Sequence, residues 1–166
     1  MTLLADLTAA LGPSHVITGH DLDRYRHDWT THFTANPIAA VRPGSTAEVS
    51  QVMQIAARHG VAVVPCAGRT GITGATTAEG KIMLSVERMN KIREIKTDVR
   101  LAVVEAGVVL QTLQDRVAED GLYFPLWFGA RGSAMIGGVL STNAGGSYVL
   151  RYGSTRALCL GIEVVL

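Results

Sequence analysis

Apolar residues fall into helical and strand periods that alternate along the chain. Leu3, Leu4, Leu7 and Leu11 recur at helical spacing and Gly12-Pro13 ends the run, which predicts a short amphipathic helix. Ile38 to Arg42 is a short apolar run closed by Pro43-Gly44 and reads as a strand. Ser45 or Thr46, with Glu48 close behind, opens a helix. One face of that helix carries Val49, Val52, Met53, Ile55 and Ala56, and it stops at His59-Gly60. The β-branched run from Val61 to Pro65 reads as a buried strand, so residues 38–65 make a β-α-β unit with a crossover helix. Strands are expected again at Ile82 to Val86, Ile92 to Ile95 and Leu101 to Glu105, then a helix from Val109 to Glu119 ended by Gly121. This second strand-and-helix unit repeats the architecture of the first without repeating its residues. Gly161 to Leu166 reads as a last apolar strand with no turn or cap behind it, which suggests a cut chain or a fragment.

Between Thr18 and Asn36 the pattern turns polar and reads as an exposed irregular arm. His15, His20, His27 and His32 lie in or beside it, but their spacing puts no pair on one helical face, so a metal site is not assigned. Composition narrows the function classes. With 48% apolar and 17% charged residues the chain suits a globular core, and 15 basic against 14 acidic residues leave no broad field to attract nucleic acid or an anionic membrane. No stretch approaches the ~20 apolar residues of a membrane span. The first residues lack the basic and apolar regions of a signal peptide. Cys66 and Cys159 are too few and too far apart for a disulfide framework, so a reducing, cytoplasmic setting is expected.

The 18 glycines carry the chemistry. They gather where strand patterns have just ended, as backbone that approaches a ligand closely requires. The first cluster reads Pro65-Cys-Ala-Gly-Arg-Thr-Gly-Ile-Thr-Gly-Ala75. Successive amides in such a turn form a nest for an anion, although the same composition also suits a β-turn without a ligand. A dinucleotide fingerprint fails here because the glycines are three apart and a strand follows, and a P-loop fails because Ile82 stands where its hydroxyl should be. The second cluster runs from Gly129 to Gly146 and reads as a long ribbon of unencumbered N–H donors, suited to an extended dinucleotide.

Gly129-Ala-Arg-Gly-Ser133, Ile136-Gly-Gly138, Ser141-Thr-Asn-Ala-Gly-Gly146, Arg151-Tyr-Gly153 and Gly161-Ile-Glu-Val-Val-Leu166 occur in that order. This series resembles the FAD-linked oxidases, flavoproteins of the vanillyl-alcohol oxidase and p-cresol methylhydroxylase superfamily, among them the D-lactate, glycolate and D-2-hydroxyglutarate dehydrogenases. The likeness covers residues 38–166. It implies an α+β fold made of two α/β subdomains of an FAD-binding PCMH-type domain, the second incomplete. The corresponding division is residues 1–37 as N-terminal helix and arm, 38–97 as the first subdomain and 98–166 as the second, without the cap domain that carries the substrate site.

By the same resemblance, Ala67, Gly68, Arg69, Thr70, Gly71 and Gly74 would contact FAD from the first loop. Gly132, Ser133, Ile136, Gly137, Gly138, Thr142, Asn143, Gly145 and Gly146 would do so from the second, and the backbone of Val164 would meet the adenine. The family usually has glycine at the positions of Ala67 and Ala75, and glycine or asparagine at Arg69. A positive φ at any alanine there would cost on the order of 1 kcal/mol. An aspartate is usual where Trp127 stands. Some relatives attach FAD through a histidine of the first loop; none lies between residues 60 and 166 here, so non-covalent FAD is expected and Cys66 is read as a buried structural thiol.

Trp127 and Phe128 suit either a wall against the flavin or core packing, and Arg151 with Tyr152 either a flavin-facing pair or a strand edge. The implied function is the FAD-binding portion of an oxidoreductase that oxidises a 2-hydroxy acid by passing hydride equivalents to FAD. The alternative is a truncated flavin-binding fragment with no turnover of its own. Partners implied are FAD and, only with a cap domain, a small 2-hydroxy acid. No catalytic residue is named, because the groups that hold substrate belong to the cap.

Overall fold

A computed structural model describes residues 2–166, and the chain divides into two units, one ending at Arg88 and rejoined by Val164–Leu166, the other Met89–Glu163. The first unit begins with helix α1 (Leu3–Leu11), where the leucine spacing predicts it. Thr2 caps it by accepting from the Ala5 amide, and Gly12 at φ 84° ends it. Strand β1 (Val16–Ile17), helix α2 (Asp23–Arg26), strand β2 (Ala39–Val41), helix α3 (Thr46–Arg58) and strands β3 (Val63–Cys66) and β4 (Ile82–Ser85) follow. Ser45 is the N-cap of α3 and accepts from the Glu48 amide at 3.2 Å, while the Glu48 carboxylate accepts from Gly44 N at 2.7 Å.

The sheet order is β1-β2-β4-β3, with β2, β4 and β3 mutually parallel and β1 antiparallel at one edge. All four residues of β4 are buried, as a central strand requires. β3 is not the buried strand its β-branched run predicts: Val63 and Val64 are half-buried and Pro65 is exposed. It lies at the edge, where a proline without an N–H leaves no ladder bond unmade. α1 and α3 join Val41, Ile82 and Leu84 in one core, where Leu7, Val52 and Ile82 are fully buried, each contributing roughly 1.5–3 kcal/mol. His59 Nε2 meets Asp6 Oδ2 at 2.7 Å, tying α3 to α1, and this hydrogen bond holds the Asp6 carboxyl below its ordinary pKa.

Residues 18–36 are not the exposed irregular arm that their polarity predicts. A 3₁₀ turn (Gly19–Leu22) leads into α2, and Leu22, Tyr25 and Ala35 are buried. Leu22 and Tyr25 stand three apart and pack with Ala40, Cys66, Ala78 and Met83, so two apolar side chains suffice to pin a polar segment to the sheet.

The second unit opens with β5 (Ile92–Lys96) and β6 (Leu101–Val104), an antiparallel pair, followed by helix α4 (Leu110–Glu119). The repeat expected from the first unit is therefore absent at the level of topology. The connection from Thr97 to Arg100 is far too short for a parallel crossover, and Arg100 at φ 54° turns the chain back on itself. After α4 the chain runs extended to a 3₁₀ turn (Gly129–Gly132), then α5 (Ile136–Ser141) and α6 (Val149–Tyr152). Leu110, Leu113, Val117, Leu126, Ile136 and Val139 form its core. Gln114 Nε2 donates to the Leu126 carbonyl at 2.6 Å and so fixes the extended stretch against α4.

Gly161 to Leu166 does not form the expected strand. It has no strand partner among the described residues, and Ile162 and Val164 stay largely exposed, because an apolar run without a ladder cannot satisfy strand amides. No helix among the described residues is long and apolar enough to cross a membrane.

Candidate functional site

Residues 67–81 connect β3 to its parallel neighbour β4. A parallel crossover is ordinarily a helix, yet this one contains no regular element, a combination that usually marks a functional loop. The absence of a helix leaves its amides without partners. Among the described residues, no backbone N–H from Ala67 through Thr76 donates to a protein acceptor. Ala67, Gly68, Arg69 and Thr70 are half-buried, Gly71 is exposed, and Gly74 is half-buried at φ 68°. The Thr77 amide and hydroxyl both return to the Gly74 carbonyl, at 3.0 and 2.6 Å, and close the loop.

The positive φ does not fall on Ala67 or Ala75, so the strain expected of those alanines does not arise. It falls on Arg69, at φ 51°, the third position where the family favours glycine or asparagine. A side chain there costs about 1–2 kcal/mol. Its guanidinium sits 4.9 Å from the centroid of the Tyr25 ring, a cation–π contact that offsets on the order of 0.5–2 kcal/mol. The ring also carries the Arg24 guanidinium at 4.6 Å. Its hydroxyl accepts from Arg24 Nη2 at 2.6 Å and donates to Glu87 at 3.3 Å, and Glu87 is in turn bridged to Arg42 at 3.1 Å. Burial, then the Glu87 charge, pushes the Tyr25 hydroxyl above its ordinary pKa, so it stays protonated at neutral pH. At the other end of the loop, a Cβ placed on Gly74 would come within 2.8 Å of the Phe33 ring. The sequence reading passed over Tyr25 and Phe33. The available signal was the spacing of Tyr25, Trp29 and Phe33, three aromatics four apart in a segment otherwise polar.

Cys66, the last residue of β3, is 4% exposed, and burial pushes its thiol up to about 11. A protonated, enclosed thiol is a poor nucleophile, in keeping with the structural role read for it.

The second glycine cluster is built differently. The expected ribbon of free amides is interrupted, because the segment folds into the 3₁₀ turn and α5. Ser133 N donates to Ala130 O, Ile136 N to Val108 O, Gly137 N to Ala106 O, Thr142 N to Gly138 O and Asn143 N to Leu140 O, all between 2.8 and 3.1 Å. Gly132 N is spent inside the 3₁₀ turn, whereas the amides of Gly138, Gly145 and Gly146 donate to no protein acceptor among the described residues. Gly137 lies against Ala106, where a Cβ would come within 2.9 Å of the alanine methyl. Gly146, at φ 67°, leaves no room for a Cβ beside the Trp127 carbonyl. The Thr142 hydroxyl returns to Gly138 O at 3.0 Å. Asn143, at φ 53°, accepts from Arg156 N at 3.1 Å, and the Arg156 guanidinium caps α5 through the carbonyls of Leu140 and Ser141.

Phe128 packs against the core of its unit, whereas Trp127 is 40% exposed and lies under the Arg131 guanidinium at 3.4 Å. Arg151 and Tyr152 belong to helix α6, not to a strand edge. Val164 is exposed in an irregular segment. Among the described residues no group of three or more His, Cys, Asp or Glu side chains is placed to hold a metal.

Residues 37–166 match the family model described as FAD binding domain. The chain belongs to the FAD-binding domain family. It is 46% identical over 146 residues to a D-2-hydroxyglutarate dehydrogenase of Xanthomonas citri pv. viticola, an alignment covering 87% of this chain and 31% of that enzyme. Among solved structures, alkyldihydroxyacetonephosphate synthase superposes with a TM-score of 0.84 at 19% identity, over 95% of this chain and 31% of that one. p-Cresol methylhydroxylase superposes with a TM-score of 0.74 at 25% identity, over 86% and 29%. The fold is thus that of the PCMH-type FAD-binding domain, in partial form. The chain spans about a third of the length of the curated relatives it matches. The amides of residues 67–76 fit the diphosphate of this family's cofactor: they are consecutive, unpaired and clear of side chains at Gly71, where a Cβ would meet nothing within 4 Å.

Proposed function

We propose that this chain is the FAD-binding portion of an enzyme that oxidises a 2-hydroxy acid of the D-lactate, glycolate or D-2-hydroxyglutarate type, with FAD held non-covalently. The run of free amides from Ala67 through Thr76 carries the reading, since a doubly charged diphosphate is the group that such a run binds best. Ala67 to Gly74 hold the diphosphate; the second unit, taken by itself, offers the free amides of Gly138, Gly145 and Gly146. When bound, FAD supplies the acceptor for the hydride equivalents that leave the substrate α-carbon. This chain's part is to bind and orient; the groups that grip the substrate carboxylate and take its proton come from a cap domain. Non-covalent attachment is supported by the lack of histidine from residue 60 to 166 and by the protonated, buried state of Cys66. A reducing, cytoplasmic location goes with this reading, supported by two free cysteines.

A second reading, a flavin-binding fragment without turnover of its own, is favoured by the one-third coverage of the relatives. Calorimetric titration with FAD tests the common core of both: heat release and a raised melting temperature are expected, and folded protein giving neither rejects it. Acid precipitation should then release all the flavin. The substrate class is tested by putting this chain in place of the matching 31% of the Xanthomonas citri enzyme. The chimera is expected to bleach with at least one of the three acids while the isolated chain does not; a flavin-loaded chimera left yellow by all three rejects the 2-hydroxy acid assignment.

A further inference from the structure

We propose that the segment from Leu22 to Asn36, which precedes the matched family region, is a clamp that positions the diphosphate loop, with Tyr25 holding Arg69 and Phe33 holding Gly74. The inference rests on the reading that this loop binds FAD. The two contacts fall on the two positions between 67 and 76 where φ is positive, 51° at Arg69 and 68° at Gly74. At these two positions the backbone enters the left-handed region, so whatever holds them bears on which way the neighbouring N–H groups face.

Arg69 pays a conformational cost in its left-handed state that glycine would not, and its side chain meets a ring that cannot move. Tyr25 is 2% exposed, wedged beside Cys66, Ala40 and Met83, and its hydroxyl is fixed by Arg24 and Glu87. The guanidinium of Arg69 is thereby drawn onto a stationary aromatic face. Phe33 is fixed by its neighbours: Asp28 N donates to Phe33 O at 3.2 Å and Ala35 N to Arg26 O at 2.8 Å, which folds residues 26–35 back on themselves. Its ring faces the open side of Gly74, where any larger residue would displace it. Tyr25 and Phe33 are positioning residues: both act on the cofactor through the backbone of another residue.

The experiment is a double-mutant cycle on the whole chain, read by FAD titration and by the rate of tryptic cleavage after Arg69, which needs no cofactor. Tyr25→Leu keeps the burial and removes the aromatic face. It is expected to weaken FAD by about tenfold and to speed cleavage after Arg69 by a similar factor. Tyr25→Phe keeps the ring and should restore both to within about twofold. In an Arg69→Gly background, where the left-handed turn needs no support, Tyr25→Leu should change FAD affinity by less than about twofold. An equal loss of affinity with and without Arg69, or unchanged cleavage in folded Tyr25→Leu, overturns the clamp. Phe33 is 45% exposed, so Phe33→Ala retains the fold if Tyr25→Leu does not. It is expected to weaken FAD by about threefold, and unaltered affinity overturns the proposal at that end. A wild-type chain that binds no FAD, yet gains cleavage at Arg69 in Tyr25→Leu, refutes the cofactor reading and upholds the clamp.

Discussion

The two glycine-rich stretches put the missing Cβ to opposite uses. From Ala67 to Thr76 it leaves amides free, with the backbone open at Gly71, where a methyl would meet nothing within 4 Å, and covered at Gly74 only by the Phe33 side chain. From Gly129 to Gly146 it lets backbone pack on backbone, with Gly137 against Ala106 and Gly146 against the Trp127 carbonyl, and most of the amides there are consumed by the structure itself. Equal glycine density therefore conceals one stretch organised for a ligand and another organised largely for close packing, with free donors left only at separate points.

The largest effect that would test this contrast is expected at Gly146. Alanine there combines a left-handed φ of 67° with overlap onto a main-chain carbonyl that cannot rotate away. Urea denaturation should show a loss of about 3 kcal/mol or more, and a loss below about 1 kcal/mol would remove the packing half of the contrast. An intermediate effect is expected at Cys66, which launches the first stretch. Its thiol is raised from an ordinary 9.0 to about 11 by burial. Below about pH 9 folded and unfolded states both keep the proton. From there to about pH 11 only the unfolded state loses it, so stability falls across that window by roughly 2–3 kcal/mol and then levels off. Comparing urea unfolding of wild type and Cys66→Ala at pH 8 and 10.5 checks this, and equal alkaline losses in the two would exclude the thiol as the cause. The smallest effect on stability, and the sharpest test, is expected at Gly71. Gly71→Ala should leave the unfolding free energy within about 0.5 kcal/mol while lowering FAD affinity by about tenfold. Loss of stability without loss of affinity would make the first stretch resemble the second.

Elements whose local signals agreed were legible in the sequence. Helix α3 had both a capping pair, Ser45 with Glu48, and an apolar face, and α1 had leucine spacing ended by Gly12-Pro13; both form within a residue or two of their predicted bounds. What escaped depended on distant partners. Val61 to Pro65 has the composition of a central strand, but strand order puts it at the edge, and no local pattern reports that order. The strand expected at Gly161 to Leu166 failed for the same reason, since the run carries a propensity but no ladder. Tyr25 sat unnoticed among polar residues because two contacts, not a period, hold its segment down. At the candidate site, the glycine spacing and the family resemblance marked two segments, but which of their amides are spent on hydrogen bonds is a property of the folded chain. Likewise, the resemblance flagged positions 67, 69 and 75 alike, and only backbone geometry singles out Arg69 as the one held at positive φ.

The helix-free link between β3 and β4 has a kinetic consequence. Both of its ends are anchored in neighbouring strands of one sheet, so the entropy of arranging its amides is surrendered during folding and not at the encounter with a ligand. A molecule arriving there meets a finished receptor, and its capture should follow a single concentration-dependent phase with no slower rearrangement behind it.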